Sequence, residues 1–245
     1  MPILEGNEVT KYFGGLAAVS DVDFFVDQGE VLGLIGPNGA GKTTLFNLIS
    51  AALTPTSGAI TFKRENITGV KPYKVCRMGV ARTFQTVKTF ANMPVFQNVL
   101  LGSFFGTSNT ISSTDAMVEA AELLEFVGLS SLKETPAKDL TLANQKRLEV
   151  ARALATKPEL LLLDEIMAGL NPAEVAQAME LISRIRDKGV TIIMIEHVMK
   201  AIMSVCERIM VLHHGQKIAE GTPQEIATDE KVIRVYLGEK AHAGS

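Results

Sequence analysis

An apolar run, Val31-Leu32-Gly33-Leu34-Ile35, leads directly into Gly36-Pro37-Asn38-Gly39-Ala40-Gly41-Lys42-Thr43, and Leu45, Leu48 and Ile49 then recur at helical spacing between Lys42 and Ala52. That order reads as strand, glycine loop and helix. Glycines let backbone N–H groups ring an anion, the helix amino terminus contributes its dipole, and Lys42 adds a cation, so the segment reads as a phosphate cradle. Its candidate binding positions are Gly36, Asn38, Gly39, Ala40, Gly41, Lys42, Thr43 and Thr44, with the Thr43 hydroxyl placed to hold magnesium. A glycine-rich turn that only caps a helix is the plainer alternative. The complete pattern of two glycines, lysine and threonine between strand and helix weighs against it.

A second apolar run, Leu160-Leu161-Leu162-Leu163, ends in Asp164-Glu165. Unbroken runs of this kind suit parallel strands covered on both faces. Adjacent acids at a strand end point in different directions, so Asp164 can serve a magnesium ion while Glu165 polarises an attacking water as general base. A solvated strand end is the bland reading of such a pair, and the phosphate loop upstream favours the chemical one.

Around these two strands the chain alternates strand and helix signals. Ile3 to Phe13 and Val19 to Val26, broken at Gly14-Gly15, predict an antiparallel opening sheet. From Val87 to about Leu148 strand character is lost, and Val118, Ala121, Leu124 and Val127 at helical spacing predict a helical insertion. Asn171, Pro172 and Glu174 predict an N-cap, first and third helical positions of a helix that ends at Gly189. Val190 to Ile195 and Arg208 to Leu212 predict further strands, with a turn at Gly215 leading into Gln216 to Ala219. The expected fold class is therefore α/β in a single domain over 1–245. A catalytic core covers about 1–86 and 149–240, a helical subdomain about 87–148, and 241–245 form a frayed tail.

Composition narrows what such a chain can serve. With 245 residues, 47% of them hydrophobic, it can bury a sizeable core without staples, and its two cysteines, Cys76 and Cys206, show no paired or metal-ligand spacing. A net charge of −3 gives no overall basic character for nucleic acid or anionic lipid. Met1 to Thr10 lack the cationic start and apolar stretch of a secretory signal, and no apolar run approaches the ~20 residues of a spanning helix, so a cytoplasmic chain that reaches a membrane through partners is expected.

With these motifs in place, the chain resembles an ATP-binding-cassette (ABC) ATPase over nearly its whole length, a P-loop NTPase core with a mostly parallel sheet, an antiparallel β subdomain and a helical subdomain insertion. The resemblance implies ATP and Mg2+ as ligands. It also implies that Phe13 stacks on adenine, that Gln85 touches magnesium and water and links the core to the helical insertion, and that His197 contacts the terminal phosphate and steadies Glu165. Glu165, His197, Gln85 and Lys42 are then the expected catalytic residues, and Thr43, Gln85 and Asp164 the expected metal ligands. Without the resemblance a lone aromatic, glutamine or histidine reads as structural. His213, His214 and His242 take no role, the first two lying at a strand-to-turn junction.

Cassettes of this family work as head-to-tail dimers in which one subunit's signature segment, usually Leu-Ser-Gly-Gly-Gln, closes the other's nucleotide. Here that segment is Leu140-Thr141-Leu142-Ala143-Asn144, with a hydroxyl kept at Thr141 and the glycines lost. Side chains on Leu142 and Ala143 restrict the approach to phosphate that glycine allows. Ile166 stands where proline usually follows the catalytic glutamate, and Asn171 where aspartate is usual in the loop from Ala168, although an N-cap accounts for Asn171 equally well. Intact motifs beside a degraded donated segment imply a heterodimer with a second ATPase subunit, a homodimer being the alternative.

Gly79 to Gln85 and Val232 to Glu239 resemble the ATP-binding subunits of branched-chain amino acid importers. That implies docking on transmembrane permease subunits at the inner face of the membrane, with a solute-binding protein involved indirectly and no nucleic acid. A soluble cassette acting on DNA or ribosomes is less well matched, since neither paired cassettes nor heptads are present. A nucleotide-gated regulator without turnover is opposed by Glu165 and His197.

Overall fold

The computed structural model describes residues 1–85, 88–106 and 111–242, with side chains described as far as Tyr236. In chain order the elements are β1 (Pro2–Phe13), β2 (Leu16–Asp27), β3 (Val31–Ile35), α1 (Lys42–Ile49), β4 (Ser57–Phe62), β5 (Glu65–Asn66), α2 (Pro72–Met78), β6 (Val80–Arg82), α3 (Val95–Phe105), α4 (Ser113–Phe126), α5 (Leu142–Leu154) and β7 (Leu160–Asp164). They continue with α6 (Pro172–Asp187), β8 (Thr191–Ile195), α7 (Met199–Val205), β9 (Arg208–His213), β10 (Gln216–Gly221), α8 (Pro223–Thr228) and α9 (Glu230–His242). The fold class is α/β, with parallel and antiparallel strands, as the sequence implies. Contacts divide the chain into two units, Met1–Pro72 with Thr191–Ser245, and Tyr73–Val190.

In the first unit, β2-β1-β4-β5 form an antiparallel sheet, the expected opening sheet extended by β4 and β5. β3 pairs in parallel with β8 on one side and β9 on the other, and β10 closes back on β9 as the expected hairpin. All five residues of β3 and of β8 are buried, which explains why both strands are continuous apolar runs and not alternating ones. Helix α1 stops at Ile49, three residues before the expected end at Ala52. Ala51 takes a left-handed backbone (φ 56), and Ser50 turns its hydroxyl onto the Phe46 carbonyl.

In the second unit β6 and β7 run parallel, and α3 packs on α4 and α5. The expected face of α4 is corrected: Val118 and Ala121 are exposed, and the buried row is Ala116, Ala120, Leu124 and then Val127. Alanines at i and i+4 give a narrow face on which a neighbouring helix can lie close, and the larger Met117 and Val118 stay outside. Helix α6 starts where expected, with Asn171 and Glu174 in a reciprocal capping box and Pro172 at the first position. At the carboxyl end α9 runs to His242, and residues 243–245 lie outside those described. The expected boundary at 86 and 87 falls outside them too.

Candidate active site

The phosphate loop is shaped by the backbone packed behind it. A Cβ at Gly36 would lie 2.1 Å from the Leu212 carbonyl oxygen, and one at Gly41 2.4 Å from that of Ala18, so both positions need glycine for space as well as for their positive φ. Gly215 N donates to Ala40 O at 3.0 Å, which ties the loop to the turn after β9. Helix α1 begins at Lys42 with Gly41 as its N-cap, no side-chain cap and no acidic residue in its first turn. Its first amides and the positive end of its dipole are thus left to an anion. Lys42 is 6% exposed, and its Nζ donates to Gly36 O at 2.6 Å and Pro37 O at 2.9 Å, which sets the ammonium along the loop. Asn38, Gly39 and Thr43 are exposed, Thr44 half-buried and Ala40 buried. Phe13, at the end of β1, is 48% exposed, and Lys11 Nζ stands 5.5 Å from its ring centroid. His197 is exposed just after β8.

The second unit gathers three other expected residues. Asp164 ends β7 with its side chain 1% exposed, and Thr83 stitches β6 to that end: its N–H donates to Leu162 O at 2.9 Å, and its hydroxyl accepts from Asp164 N at 3.0 Å. Arg82 Nη2 donates to Asp164 Oδ2 at 2.7 Å. Among the described residues, Asp164 Oδ1 has no hydrogen-bond partner. A buried carboxylate with one oxygen held and the other bare fits a hard divalent cation. Glu165 follows in a left-handed backbone (φ 51) that turns it out of the strand, and Gln85 Nε2 donates to its Oε2 at 2.8 Å. Gln85 and Glu165, widely separated in sequence, are therefore direct partners.

The signature segment starts α5. Thr141 is its N-cap, the hydroxyl accepting from Asn144 N at 3.4 Å; Leu142 is 44% exposed, and Ala143 is buried. A Cβ at Gly169 would lie 2.9 Å from Leu142 Cδ2, so Leu142 covers the loop that follows Glu165.

A family model described as ABC transporter matches residues 19–168, more than half of the chain. The chain belongs to the ABC transporter family. A second model, described as branched-chain amino acid ATP-binding cassette transporter, matches residues 216–242 of this cassette. It is 42% identical to the high-affinity branched-chain amino acid transport ATP-binding protein LivG of Salmonella typhimurium, over 97% of this chain and 98% of that protein. To the corresponding protein BraF of Pseudomonas aeruginosa it is 41% identical over the same shares. Among solved structures it is similar to a nucleotide-free ATP-binding cassette from an ABC transporter, with TM-score 0.88 and 31% identity, covering 96% of this chain and 99% of that one. The ADP conformation of an ATP-binding cassette matches with TM-score 0.88 and 32% identity, covering 97% and 99%.

Three side chains at the cassette's site were not singled out from sequence. Arg82 bonds Asp164. Lys146, on α5, donates to the main-chain oxygens of Gln85 and Glu165, and Glu149 one turn later accepts from Lys88 N. Burial raises the Glu149 carboxyl above its usual range, opposed by Lys88 N–H and the Lys146 charge. The available signal was spacing: Lys146, Glu149 and Arg152 share one helix face, which a solvated charged stripe would also produce.

Proposed function

We propose that this cassette binds and hydrolyses ATP to power a membrane importer for branched-chain amino acids or related small solutes, as one half of a nucleotide-sandwich dimer with a second ATPase subunit. The observation that carries the ATPase reading is an uncapped α1 amino terminus behind a loop that admits only glycine at Gly36 and Gly41. The likeness to LivG and BraF over nearly the full length supports the cargo class.

In this reading the amides from Gly36 to Thr44 and the Lys42 ammonium hold the phosphates, and the exposed Phe13 ring stacks on adenine. Thr43, Gln85 and Asp164 hold Mg2+, for which the bare Asp164 Oδ1 is suited. Bound there, the ion would neutralise charge developing on the phosphates. Glu165 takes the proton of the attacking water, with Gln85 fixing one of its oxygens and His197 steadying the γ-phosphate.

Among the described residues no helix is long and apolar enough to cross a membrane, so transport requires permease subunits, and a solute-binding protein delivers cargo to them. The cassette then sits on the cytoplasmic face of the membrane. Its donated signature is weak, because Thr141 spends its hydroxyl on capping α5 and Leu142 and Ala143 stand where glycines would admit phosphate. The partner is therefore a different subunit whose intact signature completes this chain's site.

The test is ATP hydrolysis by the assembled transporter, with leucine, isoleucine and valine as stimulants. Lys42→Ala is expected to abolish most turnover; unchanged turnover overturns the division of labour. Glu165→Gln is expected to trap an ATP-bound dimer, and a variant with wild-type hydrolysis and no trapped dimer overturns the base assignment.

A further inference from the structure

One face of α5 holds the segment around Gln85. Lys146 Nζ donates to Gln85 O at 3.3 Å and to Glu165 O at 3.1 Å. Glu149 Oε1 accepts from Lys88 N at 3.0 Å, and Arg152 Nη1 donates to Lys88 O. Gln85 Nε2 in turn donates to Glu165 Oε2, so Lys146 touches both members of a bonded pair at their main chains. Lys146 and Glu149 are each 5% exposed. A buried ammonium is costly unless its hydrogen bonds and counter-charge are supplied, and here two carbonyls and the nearby Glu149 supply them.

The carbonyl of Glu165 is available to Lys146 because that residue has left the strand with φ 51. A glutamate in the left-handed region persists where its surroundings over-determine it. Around Glu165 those surroundings include Lys146 on the carbonyl and Gln85 on the carboxylate.

We infer that Lys146 is a positioning residue: it fixes Gln85 and Glu165 relative to each other from the helix whose first turn is the signature segment. Movement of Thr141 to Asn144 against a partner's nucleotide is then transmitted within a turn of helix to this chain's own base. The inference rests on Glu165 being that base.

Two variants, Lys146→Met and Lys146→Arg, in the full chain assembled with its transporter partners, test it. Lys146→Met keeps the stem and removes the donors; kcat should fall about 10²-fold, the scale of a misplaced catalytic group, while KM for ATP stays within about twofold. Lys146→Arg should recover most of that loss. In the nucleotide-free chain, amide exchange at Gln85 and around Glu165 should rise in Lys146→Met by more than it rises in the rest of the described chain. Wild-type kcat in Lys146→Met, or a loss of kcat together with ATP affinity that Lys146→Arg does not recover, overturns the inference. Full hydrolysis by Glu165→Gln would instead remove the base assignment, while the exchange measurement would still decide whether Lys146 holds the pair.

Discussion

Arg82 Nη2 lies 2.7 Å from Asp164 Oδ2 with the two side chains only 7% and 1% exposed, and the second oxygen of the same carboxylate is bare among the described residues. Removing one partner of a buried ion pair leaves the other charge uncompensated, which costs about 3–5 kcal/mol. Arg82→Met should therefore lower the unfolding midpoint sharply. Adding ATP with Mg2+ should then raise the variant's melting temperature by more than it raises the wild type's, because a cation on Asp164 replaces the missing charge. Equal shifts with ATP–Mg2+ and with ATP in EDTA would argue against Asp164 as a metal ligand.

At Asn171 the helix cap falls on the position where the resemblance leads one to expect aspartate. The Oδ1 of Asn171 accepts from Ala173 N and Glu174 N at 3.0 Å each, and Glu174 Oε2 accepts from Asn171 N at 2.9 Å. Asn171→Ala should cost about 1 kcal/mol in urea unfolding, whereas Asn171→Asp, which keeps both acceptors, should cost little. If Asn171→Asp also restores a faster ATPase rate in the assembled transporter, the residue has a role in the dimer beyond its cap.

Arg208 closes a network on the first unit. It grips Glu30 through Nε and Nη2 at 2.7 and 2.8 Å, donates to Glu220 and to Phe25 O, and lies 4.1 Å from the Phe25 ring centroid. Arg208→Ala should destabilise the chain by about 3 kcal/mol in denaturant unfolding, and Arg208→Lys should recover little, since an ammonium cannot reproduce the bidentate fork or the stacking.

The Cys206 thiol is pushed up to about 12 by burial, with further contributions from Glu207, Glu196 and Glu30. At pH 8 only about one molecule in 10⁴ carries the thiolate, so alkylation of Cys206 in the native chain should be very slow and should become fast on unfolding. A folded pKa above the unfolded one means that the folded state binds more protons at alkaline pH. Stability contributed by this group is full below the unfolded value and is lost as pH rises toward about 12. Cys206→Ala should accordingly show a shallower fall of stability above pH 9 than the wild type.

What could be read from sequence was local. Strand β3, the glycine loop and α1 follow one another in a contiguous stretch, and Asn171-Pro172 with Glu174 announces the start of α6. What could not be read depends on segments far apart in the chain. Lys146 looks like part of a solvated stripe until its partners at Gln85 and Glu165 are known, and Arg82 is one more strand-end cation until Asp164 lies beside it. The buried face of α4 differs from the expected one for a related reason: Val118 and Ala121 keep the period, but the packing of α3 on α4 favours the row of Ala116, Ala120 and Leu124.

The backbone at Glu165 suits glycine better than any residue with a side chain. Glu165→Gly would relax that turn while deleting the carboxylate, so a chain selected only for resistance to denaturation would discard the group we propose as general base. Folding and turnover make opposite demands at this one position, and an ATPase assay run beside a melting curve would show the two quantities moving apart.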